Sequence, residues 1–300
     1  MNKIISYSLF DKKKNYDEMR SWDEHKHLSS RYWTNIPTSV LVNALLYPKY
    51  EMKLFIHPSI KENPLFPLLS YLDTNKEHFN FSLVELSLDY SGREPSLWRF
   101  IPIWDKNRKV VFTRDLDSLP NTSELKCSRL FEMSDCEIMT IRSHPNHNHQ
   151  MRAVRMLAGL SGFKPSMMGN IGEYESFYQH ALTLWEWGLD QEALIEHFLE
   201  KKSYGYLVKK FMDCAVDYRK DNSMWPCFPI NEKNILEINL SELDTKVMGI
   251  LDKLTDWAGK PIDSRSVFEE IVELSETRGS ELKNFILNNQ ELKDFYGVSY

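Results

Sequence analysis

Five short runs rich in β-branched, aromatic and aliphatic residues punctuate the first half of the chain: Ile4 to Phe10, Met52 to His57, Phe79 to Leu88, Lys109 to Arg114 and Glu137 to Arg142. Each ends in polar residues or proline, as strands do. Helical spacing fills the intervals at Asn35 to Leu46, Pro64 to Leu72 and Pro95 to Trp104, the last interrupted by Pro102. Strands alternating with helices need crossover connections, so the pattern predicts an α/β fold with a mostly parallel sheet flanked by helices.

After Arg142 the spacing turns helical, at Tyr174 to Trp187, Gln191 to Glu200 and Tyr206 to Arg219, while "NSMWPCFPIN" reads as an irregular aromatic loop. From Ser241 onward Leu243, Val247, Ile250, Leu251, Leu254 and Trp257 recur at three and four, behind Ser241 and Asp244 as N-cap and acidic partner. Two more amphipathic stretches follow, Ser266 to Ser275 and Ser280 to Phe295. The expected organisation is a catalytic domain over 1–240 and a helical appendage over 241–300. The segment from Glu232 holds 14 acids and 8 bases, which accounts for the whole net charge of -6.

The front part is therefore neutral overall, with local basic clusters around Arg142, Arg152, Arg155 and Lys164 and along Lys201 to Lys220. Such clusters serve either as solvated faces or as docking sites for an anionic partner. No apolar run approaches the roughly 18 to 20 residues of a membrane helix, and no leader pattern opens the chain. The four cysteines, Cys127, Cys136, Cys214 and Cys227, form no C-x-x-C pair, which fits free thiols in a cytoplasmic protein. P-loop, G-x-G-x-x-G and G-x-S-x-G fingerprints are absent.

The stretch "KVVFTRDLDSLP" places Asp115 and Asp117 at the end of an apolar strand. Ligands of open α/β sheets bind beyond the carboxyl ends of the strands. Two carboxylates one residue apart can share a hard divalent cation such as Mg²⁺ or Mn²⁺, which in turn neutralises a diphosphate. The same residues also make an ordinary turn.

"RDLDS" resembles the D-x-D region of GT-A glycosyltransferases, and six other pieces resemble one branch of that superfamily, which includes bacterial, algal and large-virus proteins. They are "IISYSLF", "YWTNIPTSVLVNALLYP", "MKLFIHP", "LWRFIPIWD", "IRSHPNHNHQM" and "EWGLDQEALIEHF", which together with "VVFTRDLDS" span roughly residues 3 to 200 in the expected order.

The resemblance implies a GT-A, Rossmann-like fold and a nucleotide-diphosphate sugar as donor. Asp115 and Asp117 would hold the metal and diphosphate, and Tyr7 and Ser8 would lie near the base or ribose. Arg99 and Arg114 would be phosphate contacts or structural ion-pair partners. His144 and His147 would belong to an acceptor or sugar loop, although a surface loop explains them equally. Asp190 and Gln191 would face the sugar or acceptor, with Asp190 as the base of an inverting enzyme or, alternatively, a helix cap. The family's glycine-rich "GGMWGGK"-like segment and late histidine-aspartate pair are replaced here by "RAVRMLAGLSGFK" and "DCAVDYRKDNSMWPCF".

The expected activity is metal-dependent glycosyl transfer to a hydroxyl, with 5-hydroxymethylcytosine in bacteriophage DNA as one acceptor. The basic clusters would track DNA, and Trp185, Trp187, Trp225 and Phe228 would stack on a flipped base. The alternatives are a nonenzymatic binding module on a degenerate transferase fold and a metal-dependent nucleotidyltransferase.

Overall fold

The computed structural model describes residues 2–10, 36, 39–40, 42–44, 46–62, 66–88, 94–116, 120, 122–141, 156–184, 189–200, 208–214, 227–229, 284 and 287–288. The chain falls into two compact units, one comprising 1–8, 89–115 and 123–240, the other 9–88, 116–122 and 241–300.

In the first unit, strands β1 (Lys3–Leu9), β4 (Val110–Arg114), β5 (Ile138–Thr140), β6 (Leu160–Phe163), β7 (Phe211–Asp213) and β8 (Cys227–Pro229) pair in the order β1-β4-β6-β5-β7-β8. β1 runs parallel to β4, and β5, β7 and β8 are mutually parallel, whereas β6 lies antiparallel to both of its neighbours. The 3-10 helix Glu94–Trp104, α4 (Tyr174–Ala181) and α5 (Leu189–Phe198) cover one face. Leu97, Phe100, Phe177, Leu194 and Phe198 pack there with Ile4, Val111, Ile138 and Phe163 of the strands. On the other face, α3 (Thr122–Met133) sets Phe131 against Phe112 at a ring separation of 6.1 Å. Coverage on both faces explains why every residue of β4 is buried, and why it reads as a continuous apolar run rather than an alternation.

In the second unit, β2 (Glu51–Ile56) and β3 (Phe81–Glu85) form a parallel pair, joined through the 3-10 helix Pro58–Glu62, α1 (Phe66–Thr74) and α2 (Lys76–Phe79). Asn80 ends α2 in the left-handed region at φ 49°, a conformation that asparagine tolerates, and its Nδ2 donates to the Pro48 carbonyl at 3.0 Å. Ile36, Ser39, Val40, Leu46 and residues 42–44 are helical, as their spacing predicts.

The class is therefore α/β, Rossmann-like, with a mostly parallel sheet flanked by helices. Four details differ from expectation. The third predicted strand is shorter, since Phe79 belongs to α2. Within the predicted helix Tyr206 to Arg219, residues Phe211–Asp213 are strand β7, because pairing with β5 overrides a helix-like spacing. The aromatic loop contains strand β8. Strand β6 and helix α3 had no counterpart in the sequence reading. Of the acidic segment 241–300, only residues 284, 287 and 288 are described, and they are helical. No helix among the described residues is long and apolar enough to cross a membrane.

Candidate functional site

Strand β4 delivers its last residues to two different places. Arg114 turns inward: its Nε donates to Glu124 of α3, and its Nη1 donates to the Thr113 carbonyl at 2.9 Å. Both partners of that ion pair are buried, and the Arg114 guanidinium lies 5.0 Å from the centre of the Phe112 ring. Of the two roles that the sequence left open for Arg114, a phosphate contact and a structural ion pair, the ion pair is the one made here. The chain then emerges at Asp115, whose side chain is 46% exposed.

Asp115 rests against the backbone of Gly159, where an added Cβ would fall within the carboxylate itself. The segment before β6 is held in place by the Thr113 hydroxyl, which donates to the Ala158 carbonyl at 2.6 Å. Gly162, three residues on, is wedged so closely that a Cβ would lie 2.7 Å from the Phe112 ring and 2.9 Å from Met139. Both glycines belong to "RAVRMLAGLSGFK", where the family's glycine-rich pattern is missing. Their signal was the absence of a side chain at two close approaches, which no motif encodes.

Arg99 joins Asp115 to a third element. It sits in the 3-10 helix, between Leu97 and Phe100 in the core, and the Tyr174 hydroxyl pins that helix by donating to the Leu97 carbonyl at 3.2 Å. Its guanidinium is 6% exposed and divides its two arms, Nη1 donating to Asp115 Oδ1 and Nη2 to Asp190 Oδ2 at 2.5 Å. A planar, permanently charged fork suits such a bridge, which an ammonium could not make with the same geometry.

Asp190 lies in the first turn of α5, where a carboxylate is favoured by the exposed N–H groups. Its Oδ1 accepts the Gln191 N–H at 2.9 Å. One oxygen therefore serves the helix start and the other serves Arg99. Gln191 Oε1 is buried with no hydrogen-bond partner among the described residues.

Tyr7 is fully buried and Ser8 partly exposed. Both continue β1 beyond the Ser6–Thr113 pair, at the same sheet edge as Asp115, because β1 and β4 are parallel. Asp117, His144 and His147 lie outside the described residues, as do Arg142, Arg152, Arg155, Trp185, Trp187 and Trp225. Lys164 is not on a basic surface. It is buried, its Nζ donates to the Ser134 carbonyl at 2.5 Å and stands 4.6 Å from the centre of the Phe131 ring, and burial pushes its pKa down.

One guanidinium against two carboxylates leaves the Arg99, Asp115, Asp190 group with a net charge of -1, while Arg114 and Glu124 cancel. An anionic diphosphate entering here needs a cation to come with it. The half-exposed carboxylate of Asp115 has the oxygen chemistry that Mg²⁺ or Mn²⁺ takes. Among the described residues no three His, Cys, Asp or Glu side chains gather as a metal site, and Asp117, the second carboxylate of the motif, lies outside those residues.

No protein-family model matches the sequence, and no curated protein sequence matches it either. Among solved structures, residues 1–349 of TarS from S. aureus match at 14% identity over 55% of this chain and 48% of that one, with a TM-score of 0.36. The match thus spans about half of that TarS fragment. The 4-diphosphocytidyl-2C-methyl-D-erythritol synthase of Anaerococcus prevotii matches at 13% identity over 79% of this chain and 96% of that one, with a TM-score of 0.38. Both likenesses are distant, and the α/β class rests on the strand pairings themselves.

Proposed function

We propose that the chain is a metal-dependent glycosyltransferase that moves a sugar from a nucleotide-diphosphate sugar to an acceptor hydroxyl. The observation that carries this reading is the meeting of Asp115 and Asp190 on Arg99. The D-x-D resemblance nominates one carboxylate for the donor side and the other for the acceptor side. They come from a strand end and a helix start 75 residues apart, yet share one buried cation.

In this reading the acceptor oxygen forms a bond to the anomeric carbon as the bond from that carbon to the diphosphate breaks. Asp190 takes the hydroxyl proton, and the nucleoside diphosphate leaves with the electron pair. Asp115 and Asp117 would hold a divalent cation, which would supply neutralisation of the departing charge. In this reading Ser8 is the residue of β1 that would lie near the donor's base or ribose, with Tyr7 buried behind it, and Gln191 would face the sugar or acceptor once its buried Oε1 is uncovered. The buried ion pair of Arg114 with Glu124 supports a structural role for it in this reading.

Calorimetry with a panel of UDP, GDP, CDP and ADP tests the reading, with Mn²⁺ and then with chelator, on the wild type and Asp117→Asn. Selection of one diphosphate, dependent on Mn²⁺ and lost in the variant, supports it. The selected base then sets the nucleotide sugars to try with acceptors, hydroxymethylcytosine DNA among them. Absence of binding under every condition sinks it in favour of a nonenzymatic module, and release of pyrophosphate from a nucleoside triphosphate would replace it with nucleotidyl transfer.

A further inference from the structure

Arg99 is the candidate site cation that pairs with one carboxylate on each Nη. We propose that it is a positioning residue, which fixes the acceptor-side carboxylate relative to the donor-side one, and that it does not bind the donor phosphates. The proposal rests on the transferase reading of Asp190 as the base.

The geometry favours positioning over phosphate binding in three ways. Each Nη already donates to a carboxylate, and the side chain is almost wholly buried, so little of the guanidinium faces an incoming ligand. A phosphate that reached its remaining N–H groups would lie beside both carboxylates, placing like charges together in a partly buried site. Finally, the guanidinium is set into the core side of its helix rather than reaching from a loop. Leu97, Phe100 and Ile103 are buried around it, and its carbon lies 5.3 Å from the centre of the Phe100 ring.

What the bridge can do follows from where its ends are fixed. Asp115 is held at the end of β4 against Gly159, and Asp190 by the first turn of α5 through the Gln191 N–H. Arg99 ties one oxygen of each to one rigid plane. A base displaced by about an ångström from its reacting proton can lose on the order of 10²-fold in rate. Arg99 therefore acts on the chemical step through Asp190, and not on affinity for the nucleotide.

The test compares wild type, Arg99→Lys, Asp190→Asn and the double variant. Lysine keeps the charge but cannot serve two carboxylates with a planar fork. Two quantities are read for each protein: the calorimetric Kd of the diphosphate selected from the panel, with Mn²⁺, and the rate of diphosphate release from the matching nucleotide sugar with water as acceptor. Arg99→Lys is expected to keep Kd within about 3-fold and to lower the rate about 10²-fold. In the Asp190→Asn background the same change is expected to cost less than about 3-fold, because its target is already gone.

A Kd weakened by about 10-fold or more in a folded Arg99→Lys overturns the proposal and returns Arg99 to the phosphates, as do rate losses that multiply in the double variant. Should Arg99→Lys fail to fold, Arg99→Gln, which keeps a planar side chain with one donor group, carries the same comparison. Wild type that binds no diphosphate overturns the transferase reading and this inference together. Wild type that binds and turns over while Arg99→Lys loses affinity overturns the inference alone.

Discussion

His197 makes folding stability depend on pH in a way that can be worked through from its surroundings. It lies on α5, is 3% exposed, and its Nε2–H donates to the Ile171 carbonyl at 2.9 Å. That bond fixes the neutral tautomer, with the lone pair on Nδ1, and Nδ1 is buried with no hydrogen-bond partner among the described residues. Trp104, Phe177 and Phe198 surround the ring at centroid separations of 5.6, 5.3 and 4.7 Å. Protonation would place a charge and an unanswered donor in this aromatic cluster. Burial chiefly, opposed by the Ile171 bond and aided by nearby His180, pushes its pKa down to about 4. The unfolded chain takes up this proton near pH ~6.5 and the folded chain only near ~4, so the contribution is complete above the first value and is lost as pH falls toward the second. A difference of roughly 2.5 units corresponds to about 3 kcal/mol in all, of which about 2 kcal/mol is gone by pH ~4.5. Urea unfolding of wild type and His197→Gln at several pH values isolates this one group, since every other titration is common to both proteins. The wild-type advantage should shrink by about 2 kcal/mol between neutral pH and pH ~4.5. Parallel curves, or a wild type that gains on acidification, would refute the argument.

Two further outcomes are expected at the site and beside it. Gly159→Ala should displace the Asp115 carboxylate and weaken Mn²⁺-dependent diphosphate binding by about 10-fold or more in calorimetry, with little change in the unfolding midpoint, because Asp115 has room to swing toward solvent. Glu124→Gln should behave in the opposite way. It removes the carboxylate that pairs with the buried Arg114 charge and destabilises the fold by about 3 to 5 kcal/mol in urea titration, while diphosphate affinity of the folded protein stays at the wild-type value.

The elements that could be read in advance are those in which apolar residues are dense enough to outweigh the buried polar ones. β1, β2 and β4 are mostly aliphatic and aromatic between breakers, with Ser6, Thr113 and Arg114 as the buried exceptions, and α5 buries Leu189, Ala193, Leu194, Ile195 and Phe198 beside Glu196 and His197. Helix α3 escaped because its buried residues include Glu124 and Ser128 among Leu125, Cys127 and Phe131, which breaks the apolar period. The buried Glu124 is there to answer Arg114, a partner on another element. Strand β6, "LSGF", carries no β-branched residue. Gly162 is required by the Phe112 and Met139 side chains, and Ser161 is taken up by a hydrogen bond to the Leu157 carbonyl at 2.5 Å. In both elements the residues answer to neighbours distant in sequence, and local propensity has no access to those.

The site shows the same division, and its arginines show why. Arg114 stands beside Asp115 in sequence, so neutralising the motif aspartates is the obvious role for it. Successive side chains of a strand point to opposite faces, however, and the residue that closes β4 is therefore directed away from where the next one emerges. Arg114 goes to Glu124, ten residues on, and the cation for Asp115 has to come from another element. The 3-10 helix before β4 supplies it through Arg99, whose partners are 16 and 91 residues away. The resemblance to glycosyltransferases nominated Arg99, Asp115 and Asp190 separately, each with a structural alternative. Their joining is a property of the fold: one buried guanidinium holds a strand end and a helix start together, which no local pattern around any of the three residues records.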